Sequence, residues 1–306
     1  MPPRFRIGVD LGGTKTEGAA IDAFGAVRVR RRVLTPAQDY PGTIDAIIAL
    51  IAGIEQEIGA TATVGIGIPG AISPVSGLVK NANSTWLIGR PLQQDIETAL
   101  GRPVRLANDA NCFALSEATD GAGATMGTVF GVILGTGVGG GIAIAREILI
   151  GANAIAGEWG HNPLPWPTLD EQPGPPCYCG RSGCIETFLS GPALIADHRR
   201  HTGQSLTTPQ IAADAKSGDP ACRATLGRYV NRLARGLASV INLIDPDVIV
   251  LGGGLSGIAA LYDEVPKQWA QYIFSDRVAT PLRPPVHGDS SGVRGAAWLW
   301  PADETA

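Results

Sequence analysis

Val129-Phe130-Gly131-Val132-Ile133-Leu134-Gly135-Thr136-Gly137-Val138-Gly139-Gly140-Gly141-Ile142-Ala143-Ile144-Ala145 is an apolar run broken in its middle by a glycine-rich turn. A β-branched run enters the turn and an alternating Ile-Ala pattern leaves it, so the stretch reads as strand, turn, strand. Glycines in such number let the main chain approach a ligand closely and present backbone N–H groups, which suits phosphate. The design recurs near the N-terminus, where Arg6 to Asp10 runs into Leu11-Gly12-Gly13-Thr14-Lys15-Thr16 and leaves through Glu17 to Asp22. A third apolar run, Asp247 to Leu251, ends in Gly252-Gly253-Gly254. Two phosphate-sized hairpins, one per half of the chain, imply a duplicated α/β architecture with a nucleotide between the halves.

Gly135-x-Gly137-x-x-Gly140 and Gly65-x-Gly67-x-x-Gly70 both satisfy a dinucleotide fingerprint literally. That fingerprint requires a helix immediately afterwards, and neither stretch has one: the first continues as alternating strand residues, the second as Ser73-Pro74-Val75-Ser76-Gly77. Gly8 and Gly13 have the separation of a Walker loop, but Thr14 stands where its lysine belongs. For one turn alone, a tight hairpin without a ligand explains the glycines equally well. Three together favour the ligand.

A chain of 306 residues exceeds one ordinary core, so two lobes are expected. A net charge of -4 gives no reason to expect nucleic acid, and the substrate is expected to be small. No stretch is apolar for the length a bilayer needs and the start lacks an apolar leader segment, so the expected location is cytoplasmic, with no membrane partner.

Pro41-Gly42 opens a helix whose Ile44, Ile47, Ile48, Ile51 and Ile58 share a face, and Asp219 to Asn242 carries another core stripe. Pro69 to Leu92 reads as a long Gly/Pro/Asn/Ser loop, and loops of that length are usually functional. Val104 to Ala107 reads as a strand leading into Asn108-Asp109-Ala110-Asn111 and a helix. Asp109 therefore has two open readings, a helix N-cap or a general base kept ionised by the helix N-terminus.

Between Gly157 and Glu186 lie Gly157-Glu158-Trp159-Gly160-His161 and Cys177-Tyr178-Cys179-Gly180-Arg181-Ser182-Gly183-Cys184. Three thiolates and one imidazole make a closed tetrahedral Zn²⁺ set, while free surface thiols remain the alternative. Imidazole has two nitrogens, so His161 can serve a metal with one and a ligand hydroxyl with the other. Glu158 and Glu186 are either sugar-binding acceptors or ordinary solvated carboxylates.

These motifs together resemble the ROK family (repressors, open reading frames and sugar kinases) of the actin-like ATPase superfamily. The resemblance is carried by Asp10-Leu-Gly-Gly-Thr-Lys15, Ile68-Pro-Gly70, Asn108-Asp-Ala-Asn111, Gly135-Thr-Gly-Val-Gly139, Gly157 to His161, the cysteine loop, Glu186 and Leu251-Gly-Gly-Gly254. It implies a two-lobed actin-like ATPase (ribonuclease H-like) fold of duplicated mixed-sheet domains with a cleft between them. The lobes would span 1–120 and 121–288, and a C-terminal helix at 289–306 would pack back on the first.

The implied activity is ATP-dependent phosphorylation of a hexose, with Asp109 as general base. Gly70, Asn83, Asn108, Glu158, His161 and Glu186 would hold the sugar. Asp10, Gly12, Gly13, Thr14, Lys15, Gly135, Thr136, Gly137, Gly139, Gly140, Gly253 and Gly254 would serve ATP and its Mg²⁺. His161, Cys177, Cys179 and Cys184 would be the zinc ligands, and a homodimer is the family's common form.

Asn81 to Trp86, His161 to Trp166 and His287 to Arg294 are most similar to bacterial fructokinases that also accept mannose. Glucose and N-acetylhexosamine kinases of the family are the alternative. A sugar-responsive repressor needs an N-terminal helix-turn-helix, for which the first strand leaves no room. Two departures from the family pattern are Arg146-Glu147 and Ala154, where many members have glycine.

Overall fold

The computed structural model describes residues 5–301, so 302–306, the end of the expected C-terminal helix, lie outside the described residues. The chain forms two compact units, a first of residues 1–125, 141–156 and 286–306 and a second of 126–140 and 157–285. The segment 141–156 groups with the first unit.

In chain order the first unit contains β1 (Arg6–Leu11), β2 (Lys15–Ile21), β3 (Val27–Leu34), α1 (Tyr40–Ile58) and β4 (Thr63–Ile68). A two-residue pair, β5 (Ala71–Ile72) and β6 (Val79–Lys80), follows, then α2 (Leu92–Leu100), β7 (Val104–Asn108) and α3 (Asp109–Thr119). The expected loop from Pro69 to Leu92 therefore contains a small hairpin and a 3₁₀ turn at Thr85–Leu87. Next come β8 (Thr128–Leu134), β9 (Val138–Ile144) and β10 (Glu147–Ile148). The second unit continues with α4 (Glu186–Leu189), α5 (Gly191–Thr202), α6 (Thr208–Ser217), α7 (Pro220–Ile244), β11 (Val248–Gly252), α8 (Ala260–Trp269) and β12 (Leu282–Arg283). Finally α9 (Ser291–Ala297) belongs to the first unit.

The two sheets repeat one plan. The first has the order β3-β2-β1-β4-β7, with β1 and β2 an antiparallel hairpin and β1, β4 and β7 parallel. The second has the order β10-β9-β8-β11-β12, with β8, β11 and β12 parallel. In each, the glycine turn that the sequence singles out joins the hairpin. No described helix is long and apolar enough to cross a membrane.

Local sequence explains the helices. Asp39 caps α1 by accepting from the Gly42 N–H, Pro41 occupies its first turn, and Gly59 closes it in the left-handed conformation. Its Ile47, Leu50, Ile51 and Ile54 are buried, and Leu50 and Ile54 lie so close to Gly18 of β2 that a Cβ there would meet them.

The opposite face of the first sheet is covered by α9, in a way no local pattern announces. A Cβ on Gly8 would fall 1.8 Å from the Val293 carbonyl oxygen, and one on Gly65 1.9 Å from that of Ala296. These glycines, part of the near-Walker and dinucleotide spacings, are the seat of the last helix. Gly65→Ala is expected to destabilise the protein by about 3 kcal/mol, since the obstruction is backbone and cannot rotate away. Urea unfolding followed by circular dichroism checks this.

The two family departures have a conformational counterpart. Arg146 has φ 65° and Ala154 φ 49°, the left-handed region that favours glycine, and each carries a cost of about 1–2 kcal/mol for its side chain.

Candidate active site

Strand direction assembles the candidate residues of the first unit. Asp10 near the end of β1, Gly70 just beyond β4, and Asn108 with Asp109 at the end of β7 all stand at the carboxyl ends of adjacent parallel strands. That is where open α/β sheets bind ligands. Asn108 ties two of these ends together: its Nδ2 donates to the Gly70 carbonyl at 3.0 Å, and its Oδ1 accepts from the Ala110 N–H at 2.9 Å. Asn108 is therefore the N-cap of α3, and Asp109 is the first helical residue. Asp109 is exposed, with Oδ1 accepting from Ala110 N–H at 2.8 Å. The Gly70 turn abuts Lys80 to Ala82, which brings the exposed Asn83 to the same end of the sheet.

The β1–β2 turn is closed by Gly12 N–H donating to the Lys15 carbonyl at 3.1 Å, and it leaves Gly13, Thr14 and Lys15 exposed. Behind it a row of charges crosses the sheet. Asp10 lies opposite Glu17, and Glu17 opposite Arg32, whose guanidinium it binds together with that of Arg30.

Asp10 is pushed up to about 7, first by burial, then by the negative charges of Asp109 and Glu17, with Arg32 opposing. Carboxylates crowded without an equal positive charge fit a divalent cation. The native state holds the Asp10 proton more tightly than the unfolded chain. Ionising it therefore costs stability, a cost that is absent below about pH 4 and grows as pH rises to about 7. Asp10→Asn is expected to stabilise the ligand-free protein at pH 8 by on the order of 2 kcal/mol and to change nothing at pH 4, measured by urea unfolding at both.

The second unit repeats the arrangement. Gly135 N–H donates to the Gly137 carbonyl at 3.0 Å, closing the β8–β9 turn and leaving Thr136 exposed. Gly253 and Gly254 are exposed at the end of the parallel neighbour β11, so both turns open at strand carboxyl ends. A Cβ on Gly253 would lie 2.4 Å from the Leu134 carbonyl oxygen. Beyond Gly254 opens a cavity of about 740 Å³ lined by residues that include Lys216, Arg223, Gly227, Gly257, Ile258 and Gln268. A larger cavity of about 820 Å³, in the first unit beside Trp298 and Trp300, contains none of the expected site residues.

Two of the expected phosphate glycines also have packing partners. The Gly139 carbonyl accepts from Trp159 Nε1 at 3.0 Å, and Gly140 is buried where a Cβ would strike the Gly157 carbonyl and the Trp159 ring. Glu186 is likewise committed to the turn, its Oε2 accepting from Val138 N–H at 2.9 Å.

His161, Cys177, Cys179 and Cys184 converge, with their ligand atoms all within 4.8 Å of one another. Cys177 Sγ lies 3.5 Å from His161 Nδ1 and Cys179 Sγ 3.6 Å from Cys184 Sγ. A zinc–sulfur tetrahedron has edges of about 3.7 Å, so the set fits Zn²⁺. Burial and the adjoining thiols push Cys184 up to about 12, a crowding that a dication relieves. The hydroxyl of Tyr178, a side chain otherwise exposed, is pushed up to about 12, first by the loss of water around its oxygen beside His161 and then by the negative charge of Glu186, Cys177 and Glu158. Glu158 and His161 are both half-buried in the same segment.

The stretch between His161 and the cysteines is pinned to α7. Glu171 Oε1 accepts from Arg232 Nε at 2.7 Å and Arg235 Nη2 at 2.8 Å, while Arg235 Nη1 donates to the Trp166 carbonyl at 2.7 Å. Arg232 also binds Asp197, which holds Arg228. Glu171 escapes a reading by motif because it lies in a proline-rich link. Thr168 three residues ahead of it, a capping-box spacing, is the local signal that marks it.

A sequence model of the ROK family matches residues 6–303. The chain belongs to the ROK family. N-acetyl-D-glucosamine kinase of Salmonella paratyphi B is 39% identical over 296 residues, covering 95% of this ROK chain and 98% of that protein. The crystal structure of the ROK hexokinase from Thermus thermophilus superposes with a TM-score of 0.85 at 30% identity, covering 96% of this chain and 97% of the other. The ROK family glucokinase from Streptomyces griseus, solved in complex with glucose and AMPPNP, gives 0.77 at 29% identity, covering 96% and 98%. The ROK fold is thus the actin-like one with duplicated mixed sheets.

Proposed function

We propose that this ROK sugar kinase transfers the γ-phosphoryl group of ATP to the terminal hydroxyl of a hexose, with N-acetyl-D-glucosamine the leading acceptor. The observation that carries the reading is the placement of Asp109, exposed and oriented by its hydrogen bond to Ala110 N–H, at the strand ends that also present Asp10, Gly70 and Asn108. Phosphoryl transfer asks for positioning and charge neutralisation more than for covalent chemistry. Asp109 accepts the proton of the attacking hydroxyl. Asn83 and the remaining Nδ2 hydrogen of Asn108 orient the sugar, as do Glu158, His161 and the Glu186 oxygen not engaged by Val138.

The turns at Gly12–Lys15 and Gly135–Gly137 offer N–H groups to phosphate, and the cavity beyond Gly254 is large enough to admit an adenine base. Asp10 would hold Mg²⁺, which would supply neutralisation of charge on the phosphates. The Cys/His set would hold a structural Zn²⁺, fixing the His161 loop. We assign the protein to the cytoplasm and to a homodimer, which sedimentation at twice the chain mass would support.

The curated relatives favour the N-acetylated acceptor. Fructose is a second reading, favoured by Asn81 to Trp86, His161 to Trp166 and His287 to Arg294. ADP release from Mg-ATP against N-acetylglucosamine, glucose, mannose and fructose separates them. A leading sugar other than the first replaces the acceptor alone, and turnover of none of the four overturns the kinase reading.

A further inference from the structure

Tyr178 is 79% exposed, yet its hydroxyl lies 2.9 Å from His161 Nε2. The two rings meet edge to face, with centroids 5.1 Å apart and planes at 87°. The other imidazole nitrogen, Nδ1, faces Cys177 within the four-residue set. A neutral imidazole carries one proton, and with Nδ1 turned to the metal-binding set that proton is on Nε2. It is donated to the Tyr178 oxygen.

Resting on the reading that His161 holds the sugar, we propose that Tyr178 sets sugar affinity by occupying the hydrogen-bond position on His161 Nε2 that a sugar oxygen takes. One proton serves one acceptor well, so the phenol must swing away before the sugar is held. The motion is cheap because the side chain is mostly exposed and has little packing to lose. The exchange replaces one neutral hydrogen bond by another, so its cost appears in sugar binding and not in nucleotide binding. A sugar without an oxygen in reach of His161 cannot displace the phenol, which makes the residue a filter as well as a tax on affinity.

Tyr178→Phe keeps the ring and removes the competitor. Its effect is read twice: as the sugar KM in the otherwise unaltered enzyme, and as the Kd of N-acetyl-D-glucosamine, or of the best acceptor found, titrated calorimetrically into Asp109→Asn with and without the second substitution. Both constants are expected to fall three- to tenfold, with the KM for ATP unmoved and bound zinc retained. The sign is diagnostic, since a hydroxyl that merely supports His161 or the loop would raise both constants or release zinc. A rise in sugar Kd, no change beyond twofold, or loss of zinc overturns the proposal while leaving the kinase reading intact. A wild-type protein that binds no sugar overturns that reading first, and this one with it.

Discussion

Asp109→Asn is expected to lower kcat by about a thousandfold while leaving the sugar Kd within a few-fold of the parent value. General-base catalysis contributes about 10²- to 10⁴-fold, and the expected loss lies in the middle of that range. The amide oxygen of the variant can still accept from Ala110 N–H, the bond that Asp109 Oδ1 makes at 2.8 Å, so the start of α3 is preserved. Asn108 Oδ1 accepts from the same Ala110 N–H and remains the cap in the variant. Steady-state kinetics beside calorimetric sugar titration separates chemistry from binding, and a loss of less than tenfold in kcat would remove Asp109 from the role.

The second large effect is structural. Arg235 is 2% exposed and joins Glu171 to the carbonyls of Pro165 and Trp166. Arg235→Met is expected to cost about 3 kcal/mol, because the buried Glu171 keeps only Arg232 of its two guanidinium partners and two carbonyls lose their donor. Glu171 is held down to about 2 against its burial, by Arg235 and then Arg232.

A depressed carboxylate contributes stability that is present above about pH 4.5 and lost as pH falls toward 2. Wild-type protein should lose that contribution across this window, and Glu171→Gln should show a flatter profile there. Pairing Glu171→Gln with Arg235→Met should cost at least about 1 kcal/mol less than the sum of the single changes, measured by urea unfolding. Strict additivity would show that the two residues do not act as a unit.

What the sequence disclosed follows from the range of the forces involved. Strand, turn and cap chemistry is written within a few residues, which is why the three glycine turns, the capped α1 and the stripe of α7 are legible directly. The expected Asp219–Asn242 helix is found at Pro220–Ile244. Asn108 rather than Asp109 is the cap, a distinction decided by one residue of helix phase. Gly8 and Gly65 instead depend on a helix more than two hundred residues away, and no local periodicity reports such a contact.

Gly140 reads with its neighbours as a phosphate glycine, although its lack of a side chain answers to Trp159. Among the shorter helices, α5 and α6 do carry local signals in the sequence, Ser190 with Gly203 and the Thr207–Gln210 capping box before Gly218, whereas α2 has no side-chain cap to announce it. The Tyr178–His161 contact is invisible there for another reason: alternating Cys-x-Cys spacing fixes the ligands and says nothing about where the intervening side chain turns.

The seat of α9 on Gly8 and Gly65 also dictates an order of events during synthesis. Residues 1–125 emerge from the ribosome first, but the helix that covers β1 and β4 begins only at Ser291. Until then one face of the N-terminal sheet, with Gly8 and Gly65 at its centre, lacks the helix that closes it. The second unit's contiguous stretch 157–285 is complete earlier than the first, reversing the usual N-terminal-first progress of nascent domains. Nascent chains stalled before residue 291 should therefore be captured by chaperones through their N-terminal third, and chains stalled after full emergence of α9 should not.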